Sequence, residues 1–254
     1  MAGSVLVNDL AHGVRAVTLS NPEKKNAIDA GMLDALEATI RDGSGVKAWL
    51  IRSDSASAFS AGYDLKALSG FPEGTQLPDD RFGEVLDLLA AHPAPSVALV
   101  RGVAIGAGCE LAIACDFRVG TANARFTFPP AKLGVVYALK GMARVRSRIG
   151  PQLARRMFLL GDTIESAEAL QAGLLDAIAP DAVAGAEAGH WCDRISALSP
   201  LALRGMKRGL ALLDSGISAD AEYEKLRRAS FNSEDAREGR DAMLQRRAPK
   251  FVGK

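Results

Sequence analysis

A glycine-rich turn and the glutamate after it are the residues best placed to do chemistry in this 254-residue chain. Gly106, Ala107 and Gly108 stand between an apolar segment and the predicted start of a helix. The first N–H groups of a helix have no partner within it and the helix dipole adds positive charge there, so such a turn binds a phosphate or a developing oxyanion. Glu110 is followed by apolar residues that can raise its pKa, which favours an acid–base role. As a partner of the helix dipole, Glu110 would need no such role.

A second turn of small residues comes earlier, in the segment SASAFSAGYDLKAL at residues 55–68. Ala61 and Gly62 allow a tight turn whose backbone N–H groups are not covered by side chains. Asp64 is the predicted N-cap of a short helix that extends to about residue 68. An ordinary turn between a strand and a capped helix also explains this fragment. The fragment alone therefore does not show whether its backbone N–H groups bind a ligand.

Several other kinds of site are not predicted. The dinucleotide pattern G-x-G-x-x-G fails at Leu111, and no Gly-Lys-Ser/Thr of a P-loop follows. The three histidines lie far apart and the three cysteines form no C-x-x-C, so we predict no metal site, no bound cofactor and no disulfide framework. The net charge of +1 gives no field toward nucleic acid or membrane. No targeting segment is visible, and we expect a reducing, cytoplasmic setting.

The hydrophobic pattern predicts an α/β fold in which strands alternate with helices over the first half. Strands are predicted near 4–9, 14–20, 46–53 and 96–102 and at the segment FRVG from residue 117, with helices near 28–43, 79–91 and 108–116. Asp29 is the predicted cap of the first helix, and residues 69–80 read as a surface loop. From residue 138 onward an almost wholly helical chain is predicted, with helices near 140–149, 151–160, 166–172, 182–198, 200–214, 218–230 and 234–247.

Taken together, the two turns resemble a known family. FSAGYDLK, followed by GVAIGAGCELAIACDFRVGTANARF, is similar to the enoyl-CoA hydratase/isomerase family, the crotonase superfamily. NPEKKNAID near the start, GDTIESAEALQAGLLDAI and the C-terminal FNSEDAREGRDAMLQRRAPKFVGK look like further segments of that family in the same order. The resemblance therefore covers nearly the whole chain.

The resemblance implies a spiral of ββα units over residues 1–195 and a C-terminal helical trimerisation domain over residues 196–254. It implies a homotrimer, or a hexamer made of two trimers, with an acyl-CoA thioester as substrate and coenzyme A entering only as part of that substrate. The thioester oxygen would accept hydrogen bonds from the backbone N–H groups of Tyr63 and Ala107, which stabilise an enolate. Ala107 stands where glycine is commoner in the family, but the donor is the backbone amide.

The resemblance also assigns residues to the substrate. Those implied to lie along it are Lys25, Ala27, Ala58, Ala61, Gly62, Asp64, Lys66, Gly106, Pro130 and Gly134. Lys250 or Phe251 in the C-terminal tail would lie near the phosphates and the adenine. The alkyl chain length is not predicted from this set.

The chain departs from the family at one catalytic position. Hydratases of the family place two glutamates around one water; Glu110 matches the first, and Pro130 stands at the second. The segment TFPPAKLGVVYALKG resembles the methylmalonyl-CoA decarboxylase branch, which also has a proline there and a tyrosine seven residues later, here Tyr137. That branch carries a histidine where this chain has Tyr63. Tyr137 would orient a departing carboxylate or supply a proton, or would only pack.

Several functions therefore remain open. Enoyl-CoA hydration is the first interpretation and acyl-CoA decarboxylation the second, with isomerisation, hydrolysis and dehalogenation behind them. A protein that binds acyl-CoA without turning it over would keep the two amides and leave every substrate unchanged. The basic segment 140–157 would suit RNA, although a solvated helix face or a subunit contact explains it more simply.

Overall fold

The computed structural model of the chain describes residues 3–64, 72 and 74–254. The predicted short helix after Asp64, the proposed substrate residue Lys66 and part of the loop 69–80 lie outside this range. Within it, two sheets and the helices packed on them form the α/β fold that the sequence predicts.

The larger sheet has six strands in the order β1-β2-β3-β5-β7-β10. Their bounds are Ser4–Asp9 (β1), Val14–Ser20 (β2), Ala48–Ser53 (β3), Ser96–Val100 (β5), Phe117–Thr121 (β7) and Ala177–Ala179 (β10). The first two form the predicted antiparallel hairpin, and every other neighbouring pair is parallel. Parallel strands are covered on both faces, which agrees with their nearly continuous apolar sequences.

The smaller sheet is built from strands of three residues in the order β4-β6-β8-β9. They span Ala58–Ser60 (β4), Val103–Ile105 (β6), Arg125–Thr127 (β8) and Thr163–Glu165 (β9). The first three are mutually parallel, and β9 runs antiparallel to β8. The chain thus sends one strand into each sheet in turn and then forms a helix, as in β5-β6-α3 and β7-β8-α4. This repeat is the ββα unit of the predicted crotonase-like fold.

Most predicted helices are present. Their bounds are Ala30–Arg41 (α1), Pro78–Ala91 (α2), Ala107–Ala114 (α3), Pro130–Leu133 (α4), Leu139–Arg155 (α5), Ser166–Gln171 (α6), Asp181–Ser196 (α7), Pro200–Asp214 (α8), Ala221–Phe231 (α9) and Glu234–Gln245 (α10). The predicted cap of α1 is confirmed, because Oδ1 of Asp29 accepts a hydrogen bond of 2.9 Å from the N–H of Met32.

The prediction of an almost wholly helical chain after residue 138 is wrong in two places. The strands β9 and β10 each add an edge to one of the sheets. The helices predicted near 140–149 and 151–160 are confirmed: Gly150, which has a non-helical φ of +75°, divides α5 into two helical segments, and the second continues into a π-helical turn at Arg156–Leu160. Three-residue strands are too short to show an alternating pattern, so only their pairing partners reveal them.

The hydrophobic core has two parts, one on each side of the large sheet. Alternate residues of β3 divide between them: Trp49 and Ile51 belong to the larger cluster, and Ala48 and Leu50 to the cluster with α7. The larger cluster holds the buried aromatic residues Phe59, Phe82, Phe126 and Phe128. It therefore lies directly beneath the ends of the short strands.

The C-terminal helices contribute little to this core. Helices α8 and α9 have no buried residues, whereas α7 contributes five, including Ala188 and Cys192. The predicted boundary after residue 195 falls at the end of α7, and it stays a prediction. Among the described residues, no helix has the length and apolar character needed to span a bilayer.

Candidate active site

Three loops meet at one edge of the small sheet because β4, β6 and β8 are parallel neighbours. The carboxyl ends of parallel strands lie at the same edge, where α/β proteins bind their ligands. The loops that follow hold Ala61 to Asp64, Gly106 to Ala107, and Phe128 to Pro130. The two small-residue turns and the proline pair that the sequence singled out are thus brought together.

These loops line a cavity of about 700 Å³. Its wall is formed by Lys24, Ala27, Ala61, Gly62, Tyr63, Asp64, Leu77, Pro78, Asp79, Ile105, Gly106, Ala107, Pro129, Pro130, Leu133, Val135, Val136 and Tyr137. Most of these side chains are apolar or absent, and a few polar groups converge among them. That combination is usual for sites that bind small molecules.

The backbone N–H groups of Tyr63 and Ala107 are both free to bind a ligand. Ala107 is the first residue of α3, and Tyr63 pairs with Ile28 only through the groups of its neighbours: Ile28 donates to Gly62, and Asp64 donates to Ile28. In the described part of the chain, neither N–H donates a hydrogen bond. Unpaired N–H groups at a helix start attract negative charge.

Gly62 allows the two turns to approach closely. Its φ is +86°, and a Cβ there would lie 2.6 Å from the carbonyl oxygen of Ile105 and 3.4 Å from the backbone nitrogen of Ala107. A side chain at this position would collide with the second turn. The absence of a side chain is therefore what brings the amides at 63 and 107 to the same wall of the cavity.

Glu110 is held by two side chains. Its Oε2 accepts a hydrogen bond of 2.6 Å from the hydroxyl of Tyr137, and its Oε1 forms an ion pair with Arg144. The other arm of Arg144 donates to Asp87 on α2 at 2.7 Å. Of these two residues only Tyr137 lines the cavity, so the hydrogen-bonded pair borders the cavity through its tyrosine.

Opposing effects act on the pKa of Glu110. Burial raises it, while the hydroxyl of Tyr137 and the charge of Arg144 lower it, and the net direction is upward. Burial together with the charge of Glu110 raises the pKa of Tyr137 well above its usual value. Tyr137 therefore stays protonated near neutral pH and donates its hydrogen to Glu110.

Packing fixes the ring of Tyr137. The ring contacts Phe128 at 5.4 Å and Phe158 at 5.5 Å between centroids, and Phe128 stacks on Phe158 at 4.7 Å. Gly141 of α5 lies against both Tyr137 and Glu110. A Cβ at this position would lie 2.7 Å from the tyrosine ring and 3.0 Å from each carboxylate oxygen of Glu110. Tyr137 therefore both packs and presents its hydroxyl.

The predicted site residues divide into those on the cavity wall and those beside it. On the wall are Ala27, Ala61, Gly62, Tyr63, Asp64, Gly106, Ala107, Pro130 and Tyr137. Glu110 instead borders a second, polar cavity of about 350 Å³. Ala58 is fully buried in β4, and Gly134 ends α4. Lys25 is exposed, and its carbonyl group accepts the N–H of Ala61 at 2.9 Å.

Sequence reasoning missed several residues of the site. Lys24, not Lys25, lies on the cavity wall, where its Nζ contacts Asp64 at 2.5 Å. Arg144 and Asp79 were also missed, because each comes from a helix that reaches the site only through the tertiary fold. The sequence held one sign of the role of Arg144: it lies four residues after Lys140, and therefore on the same face of a predicted basic helix.

Half of the charged side chains in the basic segment 140–157 form ion pairs within the chain. Arg144 pairs with Glu110 and Asp87, Lys140 pairs with Asp87, and Arg156 pairs with Asp162 and Glu168. These pairings account for half of the segment's charged side chains without a nucleic acid. They favour the simpler interpretation of the segment.

Comparison with known proteins agrees with the fold and the motifs. A family model described as enoyl-CoA hydratase/isomerase matches residues 9–254. The chain is 33% identical to the 2,3-dehydroadipyl-CoA hydratase of Escherichia coli, over 99% of this chain and all of that protein. It is 32% identical to a probable enoyl-CoA hydratase of Mycobacterium leprae, over 96% of this chain and 97% of the relative.

A solved structure gives the same answer for the fold. The enoyl-CoA hydratase from Bacillus anthracis superimposes with a TM-score of 0.90, over 99% of this chain and 100% of that one, at 23% identity. At that identity the likeness concerns the fold alone. The family model spans almost the whole chain, and the relatives exceed 30% identity over nearly their full length. The chain therefore belongs to the enoyl-CoA hydratase/isomerase family, as an enzyme of enoyl-CoA hydratase type with the crotonase fold.

Proposed function

We propose that this enzyme adds water across the 2,3 double bond of an enoyl-CoA thioester. The observation that supports this most is the pair of unpaired N–H groups, at Tyr63 and Ala107, on one wall of a cavity that Tyr137 also lines. Two such donors on a thioester oxygen stabilise the enolate that forms when water attacks carbon 3. Its relative that hydrates 2,3-dehydroadipyl-CoA makes a short enoyl chain a reasonable first substrate.

The Glu110–Tyr137 pair can perform both proton transfers in this scheme. As the water oxygen bonds to carbon 3, a water proton passes to the oxygen of Tyr137 while the tyrosine proton passes to Glu110. The enolate then takes a proton at carbon 2 from Tyr137, and Glu110 returns its proton to the tyrosine. One carboxylate thus serves as base and then as acid, which offsets the absence of a carboxylate at Pro130.

Pro130 favours a second candidate, decarboxylation of an acyl-CoA such as methylmalonyl-CoA. Loss of CO₂ breaks the bond between carbon 2 and the carboxylate and leaves its electron pair with carbon 2, which gives the enolate. No base is therefore needed. The same amides would hold the enolate oxygen, and Tyr137 would supply the proton. Retention of acyl-CoA without turnover is a further alternative, in which the amides bind the thioester and the Glu110–Tyr137 pair does no chemistry.

A substrate panel tests these proposals. Crotonyl-, 2,3-dehydroadipyl-, longer enoyl- and methylmalonyl-CoA are incubated separately with the enzyme, and the products are identified by mass spectrometry. Hydration predicts a gain of one water on at least one enoyl-CoA. If no enoyl-CoA is hydrated above background and methylmalonyl-CoA loses CO₂, the decarboxylase proposal replaces the first; if all stay unchanged but bind, the chain is a binding protein.

Arg144→Gln should move the acid limb of the kcat profile for hydration to higher pH. The guanidinium favours the ionised form of Glu110, so its removal raises the pKa of that carboxyl group. Hydration needs Glu110 ionised, and the variant therefore loses activity at a pH where the parent enzyme retains it. Measuring kcat against pH checks this, with Arg146→Gln on the exposed side of the same helix as the matched control. An acid limb at the same pH in both variants would contradict the assigned role.

We propose that the coenzyme A portion lies along the part of the wall formed by Ala27, Ala61 and Lys24. Lys24 is half exposed, and its ammonium group, which pairs with Asp64, is a cation on this wall that a phosphate of coenzyme A would contact. The earlier predictions for Lys66, and for Lys250 or Phe251, stay predictions. The tail is held to its own chain, since Asp235 accepts from the N–H groups of Val252 and Gly253.

We also propose that the enzyme assembles as a homotrimer or a pair of trimers, in a reducing cytoplasm. Large apolar side chains are exposed on the C-terminal helices, among them Leu210, Leu213, Met243 and Leu244. Exposed apolar area of this kind is typical of subunit contacts. All three cysteines are free and buried, which fits a reducing setting. Analytical ultracentrifugation tests the assembly, and a monomer would refute it.

A further inference from the structure

Asp79, at the start of α2, lies on the wall of the substrate cavity and also borders the polar cavity beside Glu110. Its Oδ2 accepts a hydrogen bond of 3.1 Å from the N–H of Ala138, the residue after Tyr137. The carbonyl group of Pro78, just before it, accepts the hydroxyl of Tyr63 at 2.5 Å. The start of α2 is therefore tied to both tyrosines of the site.

One oxygen of this carboxylate remains unused. Across the described residues, Oδ1 of Asp79 accepts no hydrogen bond and no cation pairs with the side chain. Its charge reaches the site, because it helps to raise the pKa of Glu110 and that of Tyr63. The acidic residue that follows, Asp80, borders only the polar cavity. An unpaired carboxylate oxygen that lines a substrate cavity is an acceptor for a bound water or ligand.

We propose that Asp79 is the second carboxylate of the site and holds the reacting water. This rests on the proposed hydration. The water would donate one hydrogen to the hydroxyl oxygen of Tyr137, which is the proton that leaves, and the other to Oδ1 of Asp79. Two acceptors fix the direction of the water's lone pair toward carbon 3. Asp79 would thus do from α2 what the family's second glutamate does from the position of Pro130.

Asp79→Asn tests the proposal, because the amide oxygen keeps the hydrogen bond to Ala138 while the charged acceptor is lost. Hydration of crotonyl-CoA is compared with two steps that need no added water: exchange of the carbon 2 protons of butyryl-CoA with D₂O, and binding of acetoacetyl-CoA. We expect kcat for hydration to fall about 100-fold, the size of effect that loss of orientation produces. Exchange and binding should stay within about twofold, since the amides and the Glu110–Tyr137 pair remain.

All rates are measured above the acid limb, so that a change in the pKa of Glu110 does not contribute. Asp80→Asn removes the same charge one residue away and should leave hydration unchanged. If hydration, exchange and binding fall together in Asp79→Asn, the residue is only structural; if hydration is unchanged, it does not hold the water. Either result overturns this inference and leaves the proposed function intact. Absence of hydration in the parent enzyme refutes the proposed function, and the inference with it.

Discussion

Glu110→Gln should lower kcat for enoyl-CoA hydration by about 10²–10⁴-fold, the range that a positioned acid–base group contributes. Glutamine has nearly the same shape and can still accept the hydroxyl of Tyr137, but it cannot take a proton from it. The water proton then has no acceptor behind the tyrosine. Stopped-flow or steady-state loss of the enoyl absorbance measures the effect.

A matched variant separates this chemistry from damage to the fold. Tyr137→Phe leaves Glu110 in place and removes only the hydroxyl, so it should reduce hydration to a similar extent if protons pass through the tyrosine. Thermal melts and acetoacetyl-CoA binding report whether either variant is misfolded. Full hydration activity in Glu110→Gln would remove the carboxylate from the mechanism, and full activity in Tyr137→Phe would remove the relay.

The sequence predicted those helices and strands whose hydrophobic pattern extends over enough residues to be recognised. The hairpin, the buried strand Ala48–Ser53 and the helix capped by Asp29 all appear where periodicity and capping placed them. The small sheet could not be found this way, because its strands have three residues and are defined by neighbours distant in the chain. Yet the ends of those strands build the site.

The site shows the same division. Residues whose proposed role lies in the backbone, such as Gly62 and Ala107, belong to local motifs and could be predicted from them. The proposed roles of Arg144 and Asp79 belong to side chains that α5 and α2 bring to the site, and nothing local distinguishes these side chains from solvated charges on a helix. Glu110 is an intermediate case: its position in the chain could be predicted, but its hydrogen bond to Tyr137, the residue of the two that lines the cavity, could not.

The unusual feature of this enzyme is where its acidic groups lie. Pro130, at the position of the family's second glutamate, offers no proton acceptor of its own, while Tyr137 lines the cavity and donates its hydroxyl hydrogen to Glu110. A tyrosine whose pKa is raised cannot act as a base by itself. Its hydroxyl can only pass protons to a partner, so the chemistry depends on how the carboxylates behind and beside it are held.

Ala107→Pro should lower kcat/KM by about 10²–10³-fold, the usual effect of removing one donor to an oxyanion. Proline lacks the N–H group, and Ala107 is the first residue of α3, where proline is well tolerated because that N–H has no partner in the helix. The helix and the melting temperature should therefore change little. Hydration kinetics and circular dichroism of the same sample measure both.

Ala107→Gly is the control, since glycine keeps the N–H group and only removes a methyl group. It should retain most of the activity, with a small loss of stability from the added freedom of the unfolded chain. The comparison isolates the backbone donor from the side chain, which no deletion of a catalytic side chain can do. If the proline variant hydrates crotonyl-CoA as fast as the glycine variant, the amide at 107 does not bind the thioester oxygen, and the enolate must be stabilised elsewhere in the cavity.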